Sequence, residues 1–242
     1  VLSFVGSQGD ISDPVVAWLD FARCVSIFFT PFHTYSLGHA VTASFTYNSD
    51  LIGGALMVRE SRIIAGLMLD GTDDATWHQT IMVDNCLQKN RPATAKRMAQ
   101  AIRKRLERLE PPFWQALQEG DALLATQVSF CAAMARNLLL VEFLETVVAD
   151  AFATRAERLE AYWWDDFLAE RAFRDPAIAN WAASSQRKMG QVVFRMLTEV
   201  GVLENTRSRR LCSLLLQPDV ERLLESHGMV RLQNCLGALR FR

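Results

Sequence analysis

From residue 53 onward apolar side chains recur mostly at three- and four-residue intervals, the spacing that gives a helix one buried stripe. Gly53-Gly54 marks a turn, and residues 55–69 then place Leu56, Ile63 and Leu67 at helical intervals. Gly71-Thr72-Asp73-Asp74 reads as a loop whose polar side chains cap a helix through Trp77 and Ile81. Pro92 starts the next helix, where its missing N–H costs nothing, and Met98, Ile102, Leu106 and Leu109 share one face before Pro111-Pro112 ends it. Residues 121–137 and 138–153 are apolar over much of their circumference, which predicts two central helices. Ala122, Ala125, Ala132, Ala133 and Ala135 would let neighbouring helices approach closely. These elements predict an all-α chain built on a helical bundle of about 120 residues.

The character changes at Arg174-Asp175-Pro176, because a residue before proline resists the helical conformation. A short helix over 176–181 leads to Ser184-Ser185 as an N-cap, then to a helix reaching about Val200 that buries Met189, Val192, Val193, Met196 and Val200. Gly201 ends it, Val202-Leu203 reads as a short strand, residues 204–210 as an Arg-rich turn and 211–216 as a second strand. Helix, helix, hairpin is the order of a winged helix. The expected organisation is a bundle domain over 42–172 and a winged-helix-like domain with a short β-hairpin over 173–242. Residues 1–41 stand apart, with one arginine, Arg23, and an aromatic group at Phe28, Phe29, Phe32 and Tyr35. They read either as an added N-terminal helix or as a start placed too far upstream.

The 242 residues are 50% hydrophobic and 22% charged, with 12 Gly and 7 Pro, which excludes a disordered or collagen-like chain. Five widely spaced cysteines, Cys24, Cys86, Cys131, Cys212 and Cys235, form neither a disulfide framework nor a zinc pattern, so a reducing, cytoplasmic setting is expected. The apolar stretch 15–31 is interrupted by Asp20 and Arg23, and Leu138-Leu139-Leu140-Val141 runs into Glu142 and Glu145, so no membrane span is expected.

Net charge of −1 hides a segregated distribution. Residues 89–108 carry eight basic side chains against Glu107, residues 187–210 carry six against Glu199 and Glu204, and residues 142–170 carry eight acids against Arg155 and Arg158. Arginine outnumbers lysine 22 to 4, a bias that suits bidentate phosphate contacts and that a GC-rich genome would also produce. On the helix that starts at Pro92, the cations fall opposite the apolar stripe and could lie along a phosphate backbone. Lys89, Arg91, Lys96, Arg97, Arg103, Lys104 and Arg108 are therefore candidate nucleic-acid contacts. The competing reading pairs this face with the acidic segment. On the later helix Arg187, Gln191, Arg195 and Thr198 share a face with Lys188 beside them, and Arg and Gln suit base edges as Arg and Lys suit phosphates. Arg207, Arg209 and Arg210 would sit at the wing tip.

Signals for an enzyme are weak. His33, His39, His78 and His227 are scattered, and His78 near Asp70, Asp73 and Asp74 is explained by helix capping. Asp165 and Asp166 are adjacent on a helix and point about 100° apart, so they do not share a site. Gly6-Ser7-Gln8-Gly9 lacks the lysine of a phosphate loop. No catalytic residue, metal or cofactor is expected.

Several segments together resemble the BrxA family of bacterial phage-exclusion (BREX) defence systems. They are Gly53-Gly54-Ala55-Leu56, Arg59-Glu60-Ser61-Arg62, residues 85–97 (NCLQKNRPATAKR), Asp165-Asp166-Phe167, and Asp175-Pro176 through Trp181 to Ser184, Lys188, Gly190, Gln191 and residues 197–203. The resemblance covers about residues 42–216 and carries over no catalytic residue. It implies a small helical, non-enzymatic protein, similar in its N-terminal part to the NusB antitermination fold, that binds double-stranded DNA. Its implied partners are a methyltransferase, an ATPase and a phosphatase-like protein of the same system. A protein-interaction scaffold and an RNA-binding, antitermination-like role are the alternatives, and oligomeric state is left open.

Overall fold

A computed structural model describes residues 47–240, so the expected N-terminal extension lies outside the described residues. The first element is a 3-10 turn, Asp50–Gly53. It leads into α1 (Val58–Leu69), which starts later than expected because Met57 adopts a left-handed conformation. The Asp73 carboxylate accepts the Thr76 N–H and caps α2 (Asp74–His78), which continues as a π turn over Gln79–Val83. α3 spans Pro92–Leu106. Pro111-Pro112 opens α4 (Pro111–Glu119) instead of ending α3, since proline is as compatible with a first turn as it is with a stop.

Asp121 caps α5 (Ala122–Arg136), which buries side chains around most of its circumference between α3, α4 and the following rod. That rod is α6 (Leu138–Phe143), a π turn (Leu144–Val148) and α7 (Ala149–Ala153). It leaves α5 at 106°, and buried Asn137 holds the corner: its Oδ1 accepts the Leu140 N–H, and its Nδ2 donates to Asn48 Oδ1 at 2.8 Å. Among the described residues no single helix is long and apolar enough to cross a membrane.

α8 (Tyr162–Arg174) and a 3-10 turn (Pro176–Asn180) precede α9 (Ala183–Glu199). The N-cap of α9 is Ala182, so Ser184 and Ser185 lie inside the first turn. Gly201, at φ 87°, stops it: the N–H groups of Gly201 and Val202 return to the carbonyls of Thr198 and Leu197. Among the described residues there is no strand. The two expected strands meet at one antiparallel bridge, Leu203 with Leu211. The backbone hydrogen bonds of residues 209–212 are divided between 202–205 and 157–159, so neither ladder extends.

Two helices without a sequence-level expectation follow, α10 (Pro218–Ser226) and α11 (Val230–Ala238), and both pack on α5. Buried Gln127 ties the connection down, donating to the Leu215 carbonyl and accepting the Gln217 N–H. One hydrophobic core runs from Leu51 to Leu239.

Candidate nucleic-acid interface

α3 buries Ala95, Ala99, Ile102 and Leu106 together with one cation, Arg105, and its other cations turn outward along two edges. At about 100° per residue, Arg97 and Lys104 lie on one edge and Lys96 and Arg103 on the other. Arg97 and Lys104 line a cleft of about 350 Å³ with Arg136 and residues of the Asp50–Gly53 turn. Arg136 is engaged there by Asp50 at 2.5 Å. On the other edge Arg103 pairs with Glu107 at 3.0 Å and sits 4.8 Å from the centre of the Trp77 ring. Lys89 is tied to Glu60 at 2.6 Å, while Arg91, Lys96 and Arg108 are exposed.

The second cluster forms around α9. Arg187, Lys188, Gln191 and Arg195 line a cleft of about 570 Å³, closed on one side by Arg209 and Thr206 and on the other by Gly54 and Ala55. Asp165, from α8, is the one carboxylate among its lining residues. Arg209 is held by donation from its Nε to the Leu159 carbonyl at 2.9 Å, with its guanidinium 5.9 Å from the Phe194 ring centre. Arg207 is exposed, and Arg210 pairs with Glu157 at 3.4 Å. Thr198 turns its hydroxyl back to the Phe194 carbonyl.

Both clefts border the segment 49–55, to which α3 and α9 both pack. Buried Arg105 fixes this segment from behind. Its two terminal nitrogens donate to the Ala55 carbonyl at 2.6 Å and the Gly54 carbonyl at 2.7 Å. Burial brings its pKa down to about 10, partly countered by Asp50 and Glu199, and it stays charged at neutral pH. From the α9 side the Glu199 carboxylate accepts the Leu56 N–H and the Arg195 Nε–H, both at 2.9 Å. Gly190 lets α9 lie against the Trp164 indole, because an added Cβ would fall 2.6 Å from Trp164 Cδ1.

The acidic segment does not neutralise the α3 face. Glu142 pairs with Arg171, Glu145 with Arg231, Glu157 with Arg210, and Glu160 with Arg158. Among the described residues Arg91, Lys96, Arg97, Lys104, Arg108, Arg187, Lys188 and Arg207 have no carboxylate partner. Sequence reasoning missed Arg105, Arg136 and Glu199 as parts of the site. Arg105 was visible only as one more charge in a basic run, and nothing local distinguishes a caged guanidinium from a solvated one.

A family model described as BrxA matches residues 46–228. A BREX protein BrxA of Paramagnetospirillum magneticum is 36% identical over 190 residues, spanning 78% of this chain and 96% of that protein. A BREX protein BrxA of Escherichia coli O9:H4 is 36% identical over 191 residues, 79% and 90% of the two chains. A crystal structure of an uncharacterized protein from Magnetospirillum magneticum superposes with a TM-score of 0.74 at 34% identity, covering 81% of this chain and 99% of the other. With the match extending over most of the folded chain, the protein belongs to the BrxA family of BREX proteins.

Proposed function

We propose that this BrxA-family protein binds double-stranded DNA as a non-catalytic accessory component of a BREX phage-defence system, acting beside the system's methyltransferase, ATPase and phosphatase-like protein. The observation that carries this reading is the convergence of two basic clefts, drawn from helices about ninety residues apart in sequence, on the single segment 49–55. Exposed cations without internal partners keep their counterions in solution and release those of DNA on binding, which is the main driving force for backbone contact. Gln191 is the one neutral side chain of the α9 face suited to a base edge, so backbone contacts dominate and sequence reading is slight. We read the bundle as NusB-like and the 173–242 region as winged-helix-like, with its hairpin reduced to one bridge.

The test is fluorescence anisotropy of a labelled DNA duplex, with a matched RNA duplex beside it, across a salt series. For roughly six phosphate contacts the slope of log K against log salt is about −5. Alanine at Arg97, Lys104, Arg187 and Lys188 together should remove about four contacts, flattening the slope by about 3.6. No binding at low salt overturns the reading and favours a protein scaffold, and a preference for the RNA duplex favours an antitermination-like role.

A further inference from the structure

The outer side of α8 carries a different surface from the one that borders the basic cleft. Tyr162, Trp163, Asp166, Glu170 and Phe173 fall within an arc of about 100° on this helix. Phe173 is 89% exposed and Tyr162 57% exposed, with the Tyr162 ring edge-on to Trp163 at 6.3 Å. Between this face and the π turn Leu144–Val148 with α7 runs a groove of about 270 Å³, its apolar part made by Trp163, Phe167 and Val147 and its polar part by Asp150, Asp166 and Glu170. The π turn places Thr146 and Val147 along that groove.

Two of the three carboxylates here are left without a cation by the fold. Glu142, Glu145, Glu157 and Glu160 of the acidic segment each have an arginine. Among the described residues Asp150 and Asp166 have no cation partner, and Glu170 shares Arg171 at 2.8 Å and Arg174 at 3.7 Å. A phosphate backbone would face three carboxylates and be repelled. A guanidinium would find carboxylates for its donors and aromatic faces for its plane. The exposed aromatics, which flank Asp166 and Glu170 along the helix, belong to the residue types enriched at protein–protein contact sites.

We propose that the outer face of α8 and its groove dock a basic, arginine-bearing segment of a partner protein, with a guanidinium over Trp163 and among Asp150, Asp166 and Glu170. Its position on the side of α8 away from the basic cleft leaves the residues assigned to DNA free. The proposal does not depend on the DNA-binding reading.

The probe is a rhodamine-labelled, N-acetylated nonapeptide of alternating Arg and Leu, titrated with the whole chain at low salt. Asp166→Lys/Glu170→Lys should weaken binding about tenfold or more, and Phe173→Ala about threefold to fivefold. Phe173 is almost fully solvated, so its removal does not disturb the core. Glu119→Lys/Glu225→Lys changes the net charge equally at sites on other helices and should leave the affinity within about twofold. Absence of peptide binding overturns the proposal, as does an equal loss in the Glu119/Glu225 variant, which would reduce the effect to overall charge. A dimer in sedimentation velocity, abolished both by Asp166→Lys/Glu170→Lys and by Lys96→Glu/Lys104→Glu, would also overturn it by making a second copy of this chain the occupant.

Discussion

Replacing Gly190 by alanine sets helix propensity against packing. In an unconstrained helix the change stabilises by about 1 kcal/mol. Here the new Cβ would lie 2.6 Å from Trp164 Cδ1 and 3.0 Å from Cγ, and reaching an ordinary 3.4 Å contact requires a shift of about 0.8 Å. Trp164 has little room to yield: it is buried, its Nε1–H donates to the Gln186 carbonyl at 3.1 Å, and its ring packs edge-on to Phe143 at 5.1 Å and tilted on Phe167 at 5.6 Å. Forcing one methyl into such a contact costs about 1–3 kcal/mol. The net result should be a loss of up to about 2 kcal/mol, which for a chain of this size lowers Tm by up to about 4–8 °C in a calorimetric scan. In a Trp164→Leu background the same change should cost at least about 1 kcal/mol less, because the clashing ring is gone. A rise in Tm for Gly190→Ala, or additive effects in the double variant, would refute the claim that α8 and α9 are in close contact at this glycine.

Arg105→Met leaves the Gly54 and Ala55 carbonyls without donors while relieving a buried cation, and should destabilise by about 2–4 kcal/mol in urea unfolding. An increase in stability would mean that desolvation outweighs the two bonds. Asn137→Ala removes the cap of α6 and the link to Asn48, and should cost about 1–3 kcal/mol by the same measurement. Burial pushes the Cys131 and Cys235 thiols up to about 12, against an ordinary value of 9.0. The fold therefore holds protons that the unfolded chain releases, and the stabilisation present below pH 9 is lost as pH rises from 9 toward 12. Urea midpoints should fall over that range, and a Cys131→Ala/Cys235→Ala variant should fall less. At neutral pH neither thiol should react with a maleimide until the chain unfolds.

Much of the local structure can be read directly from residues whose effect reaches only a few positions. The Asp73 and Asp121 caps, Pro92 in a first turn, Gly201 after the last turn of α9, and the all-round apolar character of 125–134 each act within one or two turns of helix. Pro111 was misread because the same missing N–H suits a helix start and a helix stop, and only the chain on either side decides between them. The two expected strands were plausible by composition, but only part of their hydrogen bonding is mutual: the Cys212 N–H reaches the Val202 carbonyl, while the Leu211 N–H goes to Glu157, about fifty positions away. The helices α10 and α11 have nine residues each, too few to be stable alone, and are held by packing on α5 and by its Gln127 link.

The charge segregation that marks both basic helices, and the family they belong to, were determined by the sequence itself, since composition and motif need no folding to be seen. Which cations are left free was decided by tertiary structure. Packing placed Arg105 inside as a cage for two carbonyls, tied Lys89, Arg103, Arg195 and Arg210 to carboxylates, and left Arg97, Lys104, Arg187 and Lys188 lining clefts on either side of one turn. Burial and pairing depend on what the rest of the chain brings within a few ångströms, and that information is spread over the whole sequence rather than carried by any one segment of it.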